Sequence, residues 1–103
     1  MFFMNKEEIL QLVIRATRRV VEENETYDPD KVDFNTPLFS KKGIVDSLGL
    51  VQLIADIEEE FYQATRQQLI LADEKAMSMK FSPFRSISSL VDYIESQFTD
   101  ETD

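Results

Sequence analysis

The chain predicts an all-α fold: a small bundle of three main helices plus one short helix, with a long loop between the first two helices. Three observations carry this reading. The same apolar spacing recurs in three segments, no alternating strand pattern persists anywhere, and only two glycines and three prolines interrupt 103 residues of which 43% are hydrophobic. A chain of this length builds one core, so residues 1–103 are expected to form a single domain.

The first helix is expected over roughly residues 6–23, where Ile9, Leu12, Val13, Ala16 and Val20 lie on one stripe. Asn5 can cap it, with Glu8 reaching back in a capping box. Arg15, Arg18 and Arg19 sit near its carbonyl end, where cations oppose the helix dipole, and this suits a structural role better than anion binding. A long connection follows, from about Asn24 to Val45, holding Pro29, Pro37 and Gly43. It exceeds the usual link between helices and must be pinned down, with Val32, Phe34, Leu38, Phe39 and Ile44 as apolar anchors.

The second helix is expected over residues 47–64, capped by Asp46, with Leu50, Leu53, Ile54, Ile57 and Phe61 facing the core. Residues 65–85 are less regular. Leu69-Ile70-Leu71 can extend that helix or pack as a loop, and Asp73-Glu74-Lys75-Ala76-Met77 is the candidate short helix ending before Ser82-Pro83. The third main helix, residues 87–98, carries Ile87, Leu90, Val91, Ile94 and Phe98 behind a Ser86 cap; residues 99–103 read as a frayed acidic tail.

Composition narrows the chemistry. Cysteine and histidine are both absent, which removes disulfides, thiolate chemistry, the commonest general base and the commonest neutral metal ligand. The chain is therefore expected not to be an enzyme. Twenty acidic residues against eleven basic give a net charge of −9, which argues against nucleic acid and for basic protein surfaces as partners, or simply for solubility. Met1-Phe2-Phe3-Met4 gives way at once to polar residues, too short for a signal peptide or a membrane span, so a cytoplasmic location is expected; separately, the protein is expected to be a monomer.

The most informative stretch is Gly43-Ile44-Val45-Asp46-Ser47-Leu48. It places one serine where a glycine-containing loop turns into an amphipathic helix, so its hydroxyl is reachable without unpacking the fold. Behind it, the outward face of the helix is mixed. Leu48, Val51 and Ala55 are apolar, Gln52 is neutral, and Asp56, Glu58 and Glu59 turn the far end acidic. A helix needing only solubility would be polar throughout, so an apolar spot bordered by carboxylates reads as a docking surface; the alternative is that the preceding loop covers Leu48. The run Asp56-Glu58-Glu59-Glu60 lacks the spacing of a calcium loop and reads as a solvated face, so no metal site is expected.

Gly43-x-x-Asp46-Ser47-Leu48, then Gly49-Leu50-Val51-Gln52-Leu53 and Glu58-Glu59-Glu60-Phe61, resembles the acyl carrier protein family; Ser89-Leu90-Val91-Asp92-Tyr93-Ile94 resembles its last helix. The resemblance implies an acyl-carrier-like domain in which Ser47 bears 4′-phosphopantetheine, donated from coenzyme A by a separate phosphopantetheinyl transferase. The thiol of that arm would hold acyl intermediates as thioesters for partner enzymes of a specialised lipid, polyketide or cell-envelope pathway. It also implies recognition by the transferase and by partners through Asp46, Leu48, Val51, Gln52, Ala55, Glu58 and Glu59. The implied partners include an acyl or aminoacyl ligase and acyl-transferring enzymes with basic docking surfaces.

The chain departs from the fatty-acid synthesis members, which usually carry acidic residues where Gly49 and Gln52 stand. In that respect it looks closer to carriers served by dedicated ligases, including D-alanyl carriers. The segment 65–85 is also longer, and the eight phenylalanines are candidates to fill the space in which the family shelters acyl chains. A reading from another class is a noncovalent acidic adaptor that binds its partner through Leu48 and Val51.

Overall fold

A computed structural model describes residues 4–71 and 83–99, the side chains of Phe98 and Thr99 excepted. Its three helices are α1 (Lys6–Asn24), α2 (Ser47–Thr65) and α3 (Ile87–Thr99), with 3-10 turns at Pro29–Lys31 and Pro83–Arg85. No β-strand occurs among the described residues. The candidate short helix at 73–77 and the tail beyond Thr99 lie outside the described residues; Thr99 itself closes α3.

Each helix begins where its capping chemistry places it. The Asn5 carboxamide oxygen accepts from the Glu8 N–H at 2.8 Å, and Glu8 accepts from the Asn5 N–H at 3.0 Å, completing the box. Asp46 accepts from the Gly49 N–H at 2.8 Å. At α3 the box is built from two serines: the Ser86 hydroxyl accepts from the Ser89 N–H, and the Ser89 hydroxyl from the Ser86 N–H, both at 3.1 Å. These bonds satisfy N–H groups that the first turn of a helix leaves without partners.

Helix α1 is the centre of the bundle, packing against both α2 and α3. That explains why its buried face is wider than one stripe: besides Ile9, Leu12, Val13, Ala16 and Val20, it buries Ile14, Thr17 and Val21. Thr17 is tolerated there because its hydroxyl donates to the Val13 carbonyl at 2.7 Å. From α2 come Leu50, Leu53, Ile54, Ile57 and Phe61, and from α3 Ile87, Leu90, Val91 and Ile94, all buried. Fully burying one such side chain stabilises by about 1.5–3 kcal/mol, which makes this shared core the main source of order.

Helix α1 ends at Glu25, which adopts the left-handed region with φ 54° and donates its N–H to carbonyls of the last turn. A side chain there costs roughly 1–2 kcal/mol of local strain that glycine avoids. Glu25→Gly is therefore expected to stabilise the protein by about 0.5–1 kcal/mol, read as a higher midpoint in thermal unfolding.

The long connection is pinned as its length requires. Leu38 and Phe39 donate backbone N–H groups to the carbonyls of Arg85 and Phe84, at 2.8 and 2.9 Å, and Ile87 donates to Thr36 at 3.0 Å. The loop thus lies across the approach to α3. Val32, Leu38 and Ile44 are buried anchors, but Phe34 and Phe39 are exposed, contrary to expectation. Only five backbone positions separate Phe34 from Phe39, and the chain turns sharply at Asp33 to Thr36, where Asp33 accepts from Asn35 N–H and Thr36 hydroxyl. That turn contains Phe34 and holds it at the surface. Among the four described phenylalanine side chains Phe61 and Phe84 are buried and Phe34 and Phe39 are exposed.

The arginines of α1 tie elements together instead of facing the helix's own carbonyl end. Arg15 and Arg19 both pair with Glu60 of α2, and Arg18 donates to the Pro29 carbonyl at 3.0 Å. The Glu60 carboxylate raises the Arg19 pKa further, through its hydrogen bond first. Lys6 and Asp92 form an exposed α1–α3 pair at 3.1 Å, where solvent screening keeps the energy small.

Candidate functional site

Ser47 is the first residue of α2, and its side chain is exposed. None of the hydrogen bonds among the described residues involves its hydroxyl. The helix start is held from behind. Loop residues 37–45 fold back on themselves, with Gly43, Ile44 and Val45 donating to the carbonyls of Ser40, Pro37 and Leu38 at 3.0, 3.2 and 3.3 Å. Gly43 lies so close to the Leu38 carbonyl that a Cβ would overlap it, and this close approach is what the glycine allows. Ile44 and Val45 are buried beside it, so the turn that presents Ser47 is anchored in the core.

A cleft of about 610 Å³ opens beside Ser47, between the end of α1 and this loop. Thr26, Tyr27, Phe39, Lys42, Ile44, Asp46 and Ser47 contribute to its walls. The sequence pattern does not mark Tyr27, Phe39 or Lys42 as site residues. Phe39 is expected as a core anchor, yet it and Tyr27 are both exposed and line this cleft together.

The outward face of α2 divides the expected recognition residues into two groups. Leu48 and Val51 are 77% and 65% exposed, so the preceding loop does not cover Leu48. Ala55 and Glu59 are exposed as well, and no hydrogen bond or ion pair among the described residues engages Glu59. The others have internal work. Asp46 caps α2. Gln52 turns toward α1, accepting from Asn24 and donating to Glu23, both at 3.4 Å. Glu58 accepts the Leu71 N–H at 2.9 Å and so holds the 66–71 loop against α2.

That loop packs as a loop and does not extend the helix, because Arg66 takes the left-handed region at φ 62° and stops it. Leu69 and Leu71 are buried, while Ile70 is 50% exposed. A second cleft, about 450 Å³, lies between the loop and α2 and is lined by Ala55, Glu58, Glu59, Tyr62, Gln68 and Leu69. The Arg66 guanidinium lies over the Tyr62 ring, 5.7 Å from the centroid.

An exposed apolar strip thus runs from Ser47 along α2, with an open carboxylate at Glu59. The acidic run does not converge: Glu60 pairs with arginines, Glu58 holds the loop, and among the described residues no three potential ligands cluster as a metal site. Nor is any described helix long and apolar enough to cross a membrane. No family model, curated protein or solved structure matches this chain.

Proposed function

We propose that the protein is an acyl carrier whose Ser47 bears a 4′-phosphopantetheine arm. One observation carries the reading: an exposed serine hydroxyl that enters no hydrogen bond among the described residues stands on an anchored helix start, between an open cleft and an exposed apolar strip. A serine kept for capping would accept from backbone N–H groups of its helix, as Ser86 does; at α2 Asp46 performs that task and leaves Ser47 free.

The residues present fit such a group. A phosphodiester on Ser47 would lie at the N-terminus of a 19-residue helix, where the helix dipole favours negative charge. In the transfer, the Ser47 oxygen forms the new bond to the pantetheine-side phosphorus of coenzyme A. Its proton passes to a base of the transferase, and adenosine 3′,5′-bisphosphate leaves with the electron pair of the broken P–O bond. Once attached, the arm supplies the thiol that this cysteine-free chain lacks, and holds an acyl or aminoacyl group as a thioester. Leu48, Val51, Ala55 and Glu59 then offer partner enzymes an apolar strip with one open carboxylate, suited to a partner face that pairs apolar side chains with a cation.

The expected result is a gain of one phosphopantetheinyl group when the protein is incubated with coenzyme A and a phosphopantetheinyl transferase, read by intact mass and placed on Ser47 by peptide mapping. Failure of several transferases of differing specificity to add it would overturn the proposal and favour a noncovalent adaptor that uses the same strip.

A further inference from the structure

We infer that the cleft beside Ser47 is a resting site for the arm itself, formed by Tyr27 and Phe39 for its apolar part and by Lys42 for its phosphodiester. The inference rests on the carrier reading and deepens it, since it assigns residues outside α2 to the same cofactor.

Ser47 is itself part of the cleft wall, so an arm attached there begins at the cleft and needs no rearrangement to enter. At about 610 Å³ the cleft falls within the range of roughly 300–1,000 Å³ typical of sites for small organic ligands. Its chemistry matches the arm. Lys42 lies near the attachment point in the chain, and it enters none of the ion pairs among the described residues, so its ammonium is available to a phosphodiester. Tyr27 and Phe39 are 37% and 42% exposed and both line the cleft. They offer apolar contact to the branched carbon skeleton of pantetheine.

The walls are also held in place. Phe39 is fixed by its backbone bond to Phe84, and Tyr27 follows directly on the capped end of α1, where the Thr26 N–H donates to Val21. A cleft with fixed walls can hold a flexible arm at a smaller entropic cost than one that must form around it. Leu48 and Val51 are not among the residues that line this cleft. The strip therefore stays open for a partner while the thiol is held back, and partner binding draws on the undocked fraction.

The test compares the apo and arm-bearing forms of the full chain by two-dimensional NMR, with Phe39→Ser and Lys42→Glu as variants. The expected result is nuclear Overhauser contacts between the methyl groups of pantetheine and the rings of Tyr27 and Phe39, weakened in both variants. The thiol should react about threefold faster with a disulfide reagent in the variants, as expected when about two-thirds of arms are docked in the parent. Both substitutions replace exposed side chains, and thermal unfolding checks that the fold is kept. An arm that is attached by mass but shows no contact with either ring, or a thiol equally reactive in all three proteins, overturns the resting site and leaves the carrier reading intact. A chain that takes up no arm at all overturns both.

Discussion

Ser47→Ala is expected to abolish phosphopantetheinylation completely while leaving the fold unchanged. The serine hydroxyl is exposed and enters no hydrogen bond among the described residues, and the cap of α2 is supplied by Asp46, so folding loses nothing with the oxygen. Alanine is also the better helix former. The stability change should stay within about 0.5 kcal/mol, checked by thermal unfolding. Loss of the mass increment in a protein of unchanged midpoint would then be chemical in origin. The same variant separates the two functional classes. A noncovalent adaptor keeps its partner affinity when one exposed oxygen is removed, because Leu48 and Val51 are untouched. A carrier loses all transfer, since no other group in the chain supplies a thiol.

The sequence departures at Gly49 and Gln52 take on a physical meaning in the structure. A Cβ at position 49 would sit 3.3 Å from both the capping oxygen of Asp46 and the Cβ of Val45. An acidic side chain there would press on the cap and bring a second carboxylate beside it. Gln52, neutral, both accepts from Asn24 and donates to Glu23, a dual bond that a carboxylate cannot make. Both residues serve the packing of α2 against what precedes it. The consequence is a less acidic surface next to Ser47, consistent with the proposed specialised carrier.

The helices were legible because their signals are local. Each cap lies within three residues of the turn it closes, and the stripes repeat every three or four positions. As a result the expected spans of 6–23, 47–64 and 87–98 meet the observed Lys6–Asn24, Ser47–Thr65 and Ile87–Thr99 to within one residue. The candidate site was legible only in part. Ser47, Leu48 and Val51 follow from helix phase. The cleft could not be read in the same way, because Tyr27, Phe39 and Ser47 are brought together by tertiary folding and a loop carries no period that assigns its residues to a side. The structural duties of Gln52 and Glu58 were hidden for the same reason: their partners lie 28, 29 and 13 positions away. Arg15 and Arg19, assigned to their own helix end, find Glu60 across the α1–α2 interface.

Gly43→Ala should be far more damaging than the same change at Gly49, although each adds one methyl group. At position 43 the new Cβ would overlap the backbone carbonyl of Leu38, and backbone cannot rotate away as a side chain can. Relief requires the loop to open, which strains or breaks the bonds from Gly43, Ile44 and Val45 to Ser40, Pro37 and Leu38. Ile44 and Val45 would be drawn out of the core with it. Overpacking of this kind costs about 1–3 kcal/mol, and each lost backbone bond adds about 1 kcal/mol, so a destabilisation of roughly 2–4 kcal/mol is expected. For a domain of this size that lowers the midpoint by roughly 10–25 °C. At position 49 the contacts at 3.3 Å need only a few tenths of an ångström of relief, and alanine gains up to about 1 kcal/mol of helix propensity over glycine, so the two effects nearly cancel. The comparison decides whether the packed loop is what presents Ser47. If the loop holds the serine in place, Gly43→Ala should also slow arm transfer at temperatures where the protein is still folded, because the hydroxyl is then no longer presented in a single position. Equal midpoints for the two alanine variants would mean that the helix start is held by α2 alone, and the close approach of Gly43 to Leu38 would lose its significance for the site.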